Sequence, residues 1–321
     1  MGDSSHVIGQ NLVDAATVAY RTYLEEFFIS KDDSIADIFA ETIPAGGGKS
    51  TTLIVEDYLG SWLEFLGARQ TTASRAYSQT VTLSTWAQQI QIRRTDLTYD
   101  MIGNVAARLR KFLSGQMSYK EQLVFDKLVS ASGLGPTGYD GVAMIGTTHP
   151  NGPAGNQSNK GTAALSSVSY NTAYASMTGL KRENGEPFRV VPKYLVHGPS
   201  THQQALEITQ SEIRGAGYSS STAEGGTTVT AAGISNVFAG TVTPVMWPRL
   251  TGTQAAYWYL VGEGPGGAKP MVFLEGMAPT EQIDDQLNSP TVMATDRVTY
   301  GLIADGQAAP GAWQCIYAGI L

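Results

Sequence analysis

Residues 139–152 read YDGVAMIGTTHPNG, at the centre of a span, 133–161, that is dense in Gly, Pro and Asn. That composition predicts a loop. Patterned sequence surrounds it on both sides. Upstream, YSQTVTLST puts Tyr77, Val81 and Leu83 on one parity and Ser78, Thr80, Thr82 and Ser84 on the other, the alternation of a half-buried strand. After Trp86 the parity slips, and Ile90 and Ile92 carry the apolar face, which predicts a bend or bulge at 86–88. A helical period then opens at Thr95 or Asp96 and runs through Met101, Ile102, Val105, Leu109, Phe112 and Leu113. Gly115 weakens it by about 1 kcal/mol relative to alanine. Ser118 to Glu121 has the form of a capping box leading into Leu123, Val124 and Leu128, so the segment reads as one long helix or two collinear ones. Earlier still, 10–40 has helical spacing, and 51–58 (TTLIVEDY) reads as extended.

Downstream, a helix from Ser166 carries Tyr170, Tyr174 and Met177 on one face. Asn184-Gly185 signals a turn before a strand at 188–191, and Thr201 opens a helix to about Arg214. Strand-like runs return at 237–247, 256–262, 271–275, 296–303 and 313–319. A long helix with scattered strands, and no repeated strand–helix alternation, predicts an α+β fold.

The chain has 321 residues, enough to bury a sizeable core. Only 15% are charged, against a usual figure of about 25%, and 36 are glycine. Such a neutral, polar surface fits a protein largely covered by copies of itself or by partners. The net charge of −7 is spread without a basic stripe, which argues against sequence-specific nucleic-acid binding. Arg93-Arg94 and Arg108 with Arg110-Lys111 are the basic knots, and solvated or paired surface is their simpler reading. No apolar run approaches the ~20 residues of a membrane span, and MGDSSHVIGQ lacks the regions of a signal peptide, so we expect a protein made in a cytoplasm. The single Cys315 excludes an intrachain disulfide and reads as a small buried side chain.

The stretch IPAGGGKST at 43–51 invites a phosphate-loop reading. That motif needs Gly, four residues, then Gly-Lys-Ser/Thr, and a helix whose N-terminus meets the charge. The residue five before Gly48 is Ile43, and the run after Ser50 reads as strand. The glycines are therefore expected to form a flexible turn. Of His6, His149, His197 and His202, only the last two are close, and their five-residue separation does not share a helical face, so no metal site is expected. Glu281, Asp284 and Asp285 form an acidic knot, but no Ser or His stands at a hydrolase spacing and there is no GxSxG. No catalytic or cofactor-binding residue is proposed.

Taken with its flanks, YDGVAMIGTTHPNG resembles the Mu-like major head subunits of tailed bacteriophages. Upstream, Trp62, Gly67-Ala68-Arg69 and YSQTVTLSTWAQQIQIRRTDLTYD are similar to that family's extended hairpin and its Arg-Asp entry into a long helix. Downstream, MTGL, ENGEPFRVVPKYLV, AAYWYL at 255–260 and the closing GAWQCIYAGI continue the resemblance, which spans about 50–321. His197-Gly198 departs from the proline-rich sequence more usual at that point.

The resemblance implies the tailed-phage major capsid fold shared with herpesvirus capsid floors and encapsulins. On it, 1–45 would be an N-terminal arm reaching a neighbouring copy, 46–92 an E-loop β-hairpin, 93–196 a P-domain with a spine helix, 197–289 an A-domain, and 290–321 a return to the P-domain. The implied function is a major capsid protein whose copies form hexamers and pentamers of an icosahedral shell, assembled in a host bacterial cytoplasm. Double-stranded DNA inside would be touched weakly and non-specifically, with portal, scaffold and decoration proteins as further partners and no membrane. Trp62, Leu63, Phe65, Leu66 and Arg69 would form the part of the E-loop that docks on a neighbour. An encapsulin-type shell is the alternative, and a β-rich hydrolase the remote one. With no lysine between Thr51 and Val105 and a single cysteine, the shell is expected to be held without covalent cross-links.

Overall fold

The computed structural model describes residues 4–29, 35–58, 74–99, 103–116, 119–129, 134–152, 155–214 and 234–321. Helices α1 (Ser4–Ile29) and α2 (Ile35–Phe39) precede strands β1 (Ala40–Pro44), β2 (Ser50–Tyr58), β3 (Ser74–Thr82) and β4 (Ser84–Arg93). Helices α3 (Arg94–Thr98), α4 (Asn104–Gln116) and α5 (Tyr119–Leu128) come next, then β5 (Lys160–Gly161), α6 (Ser167–Thr178), β6 (Val191–His197) and α7 (His202–Thr209). The remainder is mostly strand: β7 (Ile213–Arg214), β8 (Ile234–Ser235), β9 (Thr243–Met246), β10 (Trp258–Glu263), β11 (Met271–Asp284), β12 (Arg297–Pro310) and β13 (Ile316–Gly319), with α8 (Pro290–Thr295) before β12. Helices and strands are mixed without regular alternation, the expected α+β class.

Two sheets carry the architecture. A four-stranded sheet has the order β1-β11-β12-β4, and a five-stranded sheet the order β5-β13-β10-β6-β9. In the second, β10 lies inside and is buried on both faces, which explains its unbroken apolar run WYLV. Leu195, Trp258 and Leu260 face a core shared with Tyr170 and Met177 of α6 and Ala205 and Ile208 of α7. Val196, Tyr259 and Val261 face the opposite core, where Val124 and Leu128 of α5 meet Phe39, Trp247 and Phe273. In the first sheet, Ile92 of β4 and Val298, Tyr300 and Leu302 of β12 lie under α1 and α4. The period-two and 3.6-residue patterns are thus two halves of the same burial.

Several expected boundaries move. The apolar period at 10–40 resolves into α1, α2 and then the strand β1, which pairs in parallel with β11. The bend expected at 86–88 lies instead at Leu83: β3 pairs with β2, the Leu83 amide donates to Lys49 O at 2.8 Å, and from Ser84 the chain pairs with β12 through ten unbroken positions. The parity slip therefore marks a change of partner, not a bulge. The long helix is also divided, because Gly103 adopts φ +69° immediately before α4. Glu121 of the expected capping box instead accepts hydrogen bonds from Trp247 Nε1 at 2.7 Å and Arg249 Nε at 3.3 Å, while Ser118 lies outside the described residues.

Farther along, the strand expected at 188–191 begins only at Val191, since Phe188 donates to Leu180 O across the Asn184-Gly185 turn and Arg189 takes φ +64°. The helix from Thr201 ends at Thr209, not near Arg214. The run 237–247 narrows to β9, because 236–241 folds as turns. Conversely, β11 and β12 are 14 residues each, longer than their apolar runs, since they pair with each other along almost their whole length and residues 297–306 of β12 also pair with β4. Cys315 is fully buried, and burial pushes its thiol up to about 12.

Candidate assembly surfaces

The two-stranded ribbon β2–β3 pairs in antiparallel register from Ser50↔Thr82 to Tyr58↔Ser74. It begins at the glycine turn, where Gly47 takes φ +87° and Ser50 enters strand directly, so the backbone offers no helix N-terminus to a phosphate. At its root, Val81 is buried with Leu53, Leu83, Leu274 and Ala309. The opposite parity, with Thr52, Ile54, Ser78 and Thr80, is exposed, and Ile54 remains 64% exposed. Root burial and a bare outer face make the ribbon a projection anchored at one end.

A second set of contacts lies two to four residues before Val81 on β3. Tyr77 packs against Tyr139 with ring centroids 5.2 Å apart and planes tilted by 43°, and donates its hydroxyl proton to the buried Glu183, while Gln79 Nε2 reaches Thr137 O at 3.4 Å. Tyr139 is held from behind by Gln314, whose Nε2 donates to the phenol oxygen at 3.1 Å. These side chains edge a cleft of about 180 Å³ with Asp140, Asn151, Arg182, Phe188 and Trp313.

Beneath that cleft the 139–152 stretch is fixed by a buried polar network rather than by regular structure. His149 is fully buried and stacks on Trp313 with ring centroids 4.0 Å apart and planes 7° from parallel. Its Nδ1 lies 2.6 Å from Asp140 Oδ2 and its Nε2 3.2 Å from Asn159 Oδ1. Asn159 in turn donates Nδ2 to Met144 O at 2.8 Å and Trp313 O at 3.1 Å. The network satisfies groups that a loop would otherwise bury unpaired.

Strand β4 forms a free edge of the four-stranded sheet. Its residues 84–89 are all exposed, and Trp86, 43% exposed, is steadied by an Nε1 bond to Gly306 O at 3.0 Å. From Ala76 to Ile92 the sequence holds no charged residue. Soluble proteins usually blunt such edges with lysine, proline or bulges, and β4 has none of them. Beside it runs a groove of about 610 Å³ lined by Gln88, Gln89, Gln91, Gln282 and Thr299.

The N-terminal helix α1 is anchored on the body of its own chain. Val13, Tyr20 and Leu24 of α1 are buried in the chain's own core against Leu109, Leu113 and Tyr300. Thr17 donates to Asp285 at 2.9 Å, Tyr20 to Gly301 O at 3.1 Å, and Arg21 pairs with Glu281 at 3.1 Å. The acidic knot thus serves the docking of α1. The physical reason is the apolar stripe at 13, 20 and 24, which finds its complement on β12 and α4 of the same chain.

Trp62, Leu63, Phe65, Leu66 and Arg69 lie outside the described residues. His197 and His202, separated by sequence reasoning, are brought together with ring centroids 5.2 Å apart by the sharp turn from β6 into α7. Tyr77, Tyr139, Glu183 and the His149 network were not legible as a unit. The available signal was the concentration of Tyr, Asp, His and Asn within a span without apolar period. Among the described residues no group of three or more His, Cys, Asp or Glu side chains could hold a metal ion, and no helix is long and apolar enough to cross a membrane.

Comparison with known proteins adds an independent line. The sequence pattern of the family described as phage capsid protein matches residues 76–318. No curated protein sequence matches the chain. In structure, the chain is similar to one from the procapsid of bacteriophage JBD30, with a TM-score of 0.53 and 17% identity over 97% of this chain and 75% of that one. It is also similar to one from the JBD30 capsid decorated with minor capsid protein trimers, with a TM-score of 0.52 and 16% identity over 68% of this chain and 91% of that one. A Mycobacterium phage Cain chain gives a TM-score of 0.50 and 13% identity over 91% and 90%. At these identities the structural likeness is one of fold.

Proposed function

The chain belongs to the phage capsid protein family and is a capsid shell protein; from that premise we propose that its copies form hexamers and pentamers closing into an icosahedral shell around double-stranded DNA. The observation that carries this reading is the ribbon β2–β3, anchored on its own body at the root and presenting the exposed Thr52, Ile54, Ser78 and Thr80, beside the edge strand β4, whose residues 84–92 carry no charge. Left uncovered in a solitary subunit, such surfaces invite indiscriminate strand pairing. Covered by a neighbouring copy, they become the joints of a shell, and many modest joints sum because each subunit is held at several places.

Within this proposal the ribbon is the root of an E-loop spanning 46–92, and Trp62, Leu63, Phe65, Leu66 and Arg69 make its docking tip. Residues 1–45 are the arm, 93–196 with 290–321 the P-domain, and 197–289 the A-domain, as in Mu-like major head subunits. The role is structural, without enzymatic activity. A net charge of −7 favours weak, non-specific contact with packaged DNA, and portal, scaffold and decoration proteins complete the particle. Assembly takes place in the host bacterial cytoplasm.

Deleting 60–74 tests the central step. The expected product is a folded subunit, with the circular dichroism of the full chain, that closes no shells in electron micrographs. Normal particles from the deletion would remove the E-loop from the assembly mechanism.

A further inference from the structure

Two asparagines in this chain are followed by glycine, Asn151 and Asn184, and the fold treats them differently. The pairing matters chemically because glycine has no side chain to shield its backbone nitrogen, which can close a five-membered ring on the carboxamide carbon of the residue before it. Asn151 is 4% exposed, and its Nδ2 donates to Lys181 O. Ring closure there would have to expel a nitrogen that is bonded and dry. Asn184 stands at the tip of the turn that this same bond helps to root.

Root and tip of the turn differ in firmness. At the root Lys181 pairs with Pro187, its N–H donates to Gln157 Oε1 at 2.9 Å, and its carbonyl accepts from both Asn151 and Gln157. At the tip Arg182 N donates to Glu186 O at 2.7 Å and Gly185 N to Arg182 O at 2.9 Å, with Gly185 at φ +86°. Asn184 is partly exposed, and Gly185 and Glu186 are exposed, so the bond that ties the Gly185 nitrogen lies at the surface, where local opening is easy. The Asn184 carboxamide is also polarised. Glu186 N donates to its Oδ1 at 3.0 Å, the oxygen that turns negative when a nucleophile adds to Cγ.

We propose that Asn184 is a self-modification site: in the folded chain it deamidates while Asn151 is protected, and the product loosens the seat of the ribbon. When the turn opens, Gly185 N gives its proton to solvent and bonds to Asn184 Cγ. The Cγ–Nδ2 bond breaks, and the nitrogen takes a proton from water and leaves as ammonia, giving a succinimide. Water then adds to either ring carbonyl and breaks its bond to the ring nitrogen. The net change is asparagine plus water to ammonia plus aspartate or isoaspartate. Isoaspartate lengthens the backbone by a methylene inside the tight turn, and either product sets a negative charge beside the buried Glu183. Both changes act on the side chain that accepts the Tyr77 hydroxyl proton. The chemistry derives from one turn of one chain; its effect on shell closure rests on the function proposed above.

The test incubates the full chain in H₂¹⁸O at mildly alkaline pH, then digests it with trypsin in ordinary water for mass spectrometry. Lys160, Lys181 and Arg182 place the two asparagines on different peptides. Label should enter at 184 about ten- to a hundredfold faster than at 151, the difference set by freeing the buried amide of Asn151. In denaturant the two rates should converge. Equal rates in the folded chain, or a folded chain that takes no label at 184 while the denatured one does, would overturn the proposal. In the modified fraction, amide exchange of 74–82 should rise about ten- to a hundredfold. Asn184→Gln, folded like the parent by circular dichroism, should keep its protection through the same incubation. Unchanged ribbon exchange with isoaspartate at 184, or a loss of protection that Asn184→Gln shares, would refute the link to the ribbon. If exchange rises as expected and modified subunits still close shells normally, the failure belongs to the ribbon's assembly role and not to the modification.

Discussion

Replacing Tyr20 by alanine should detach α1 from its own subunit. The helix is held by Val13, Tyr20 and Leu24, all buried against α4 and β12, and burial of three such side chains contributes roughly 5–9 kcal/mol. Tyr20 is the largest of them, packed on Tyr300 at 5.2 Å and bonded to Gly301 O. Its truncation should cost about 3–5 kcal/mol, most of the margin that docks a helix which alone in water is only marginally stable. Tyr20→Phe keeps the ring and removes one hydrogen bond, so it should cost about 0.5–1.5 kcal/mol. Hydrogen exchange on unassembled subunits reads the difference directly: amides of 10–26 should open roughly a hundred- to several-thousand-fold more often in the alanine variant, and only severalfold more in the phenylalanine one. Urea melts should show the same order. Protection of α1 unchanged in Tyr20→Ala, or equal losses in the two variants, would refute the docking of α1 on its own chain.

Mature particles boiled in detergent without reductant should run as one band near the 34.1 kDa monomer, since 51–105 holds no lysine and Cys315 is buried; a ladder of covalent oligomers would refute a non-covalent shell. Burial holds the His197 imidazole below its ordinary value of 6.5, with a weaker opposing pull from the Gly198 carbonyl. Because the unfolded chain then takes up the proton first, stability should be level above 6.5 and fall as pH drops below it. His197→Gln should flatten that acid limb in urea melts taken across the range, and an unchanged slope would show that His197 does not set it.

Local patterns were legible where one element's exposure repeats along its own sequence. Tyr170 and Met177 on α6, the alternation from Tyr77 to Val81 on β3, and the turn at Asn184-Gly185 all lie where the residues alone place them. So does the strand after the glycine-rich turn, which disposed of a phosphate loop. The wider α+β organisation and the resemblance to phage head subunits also came from the order of such segments. What sequence could not provide was the partner. The slip between Leu83 and Ile90 shows that a strand changes its buried face, but whether by a bulge or by leaving β2 for β12 depends on a chain segment more than 200 residues away. The same limit hid the far half of β11, the return of α1 to its own core, the meeting of His197 with His202, and the cage around His149. Periodicity records that a side chain is buried, because burial has the geometry of one helix or strand. What it is buried against is settled only when distant segments compete for the same surfaces, and that competition is resolved by the tertiary fold.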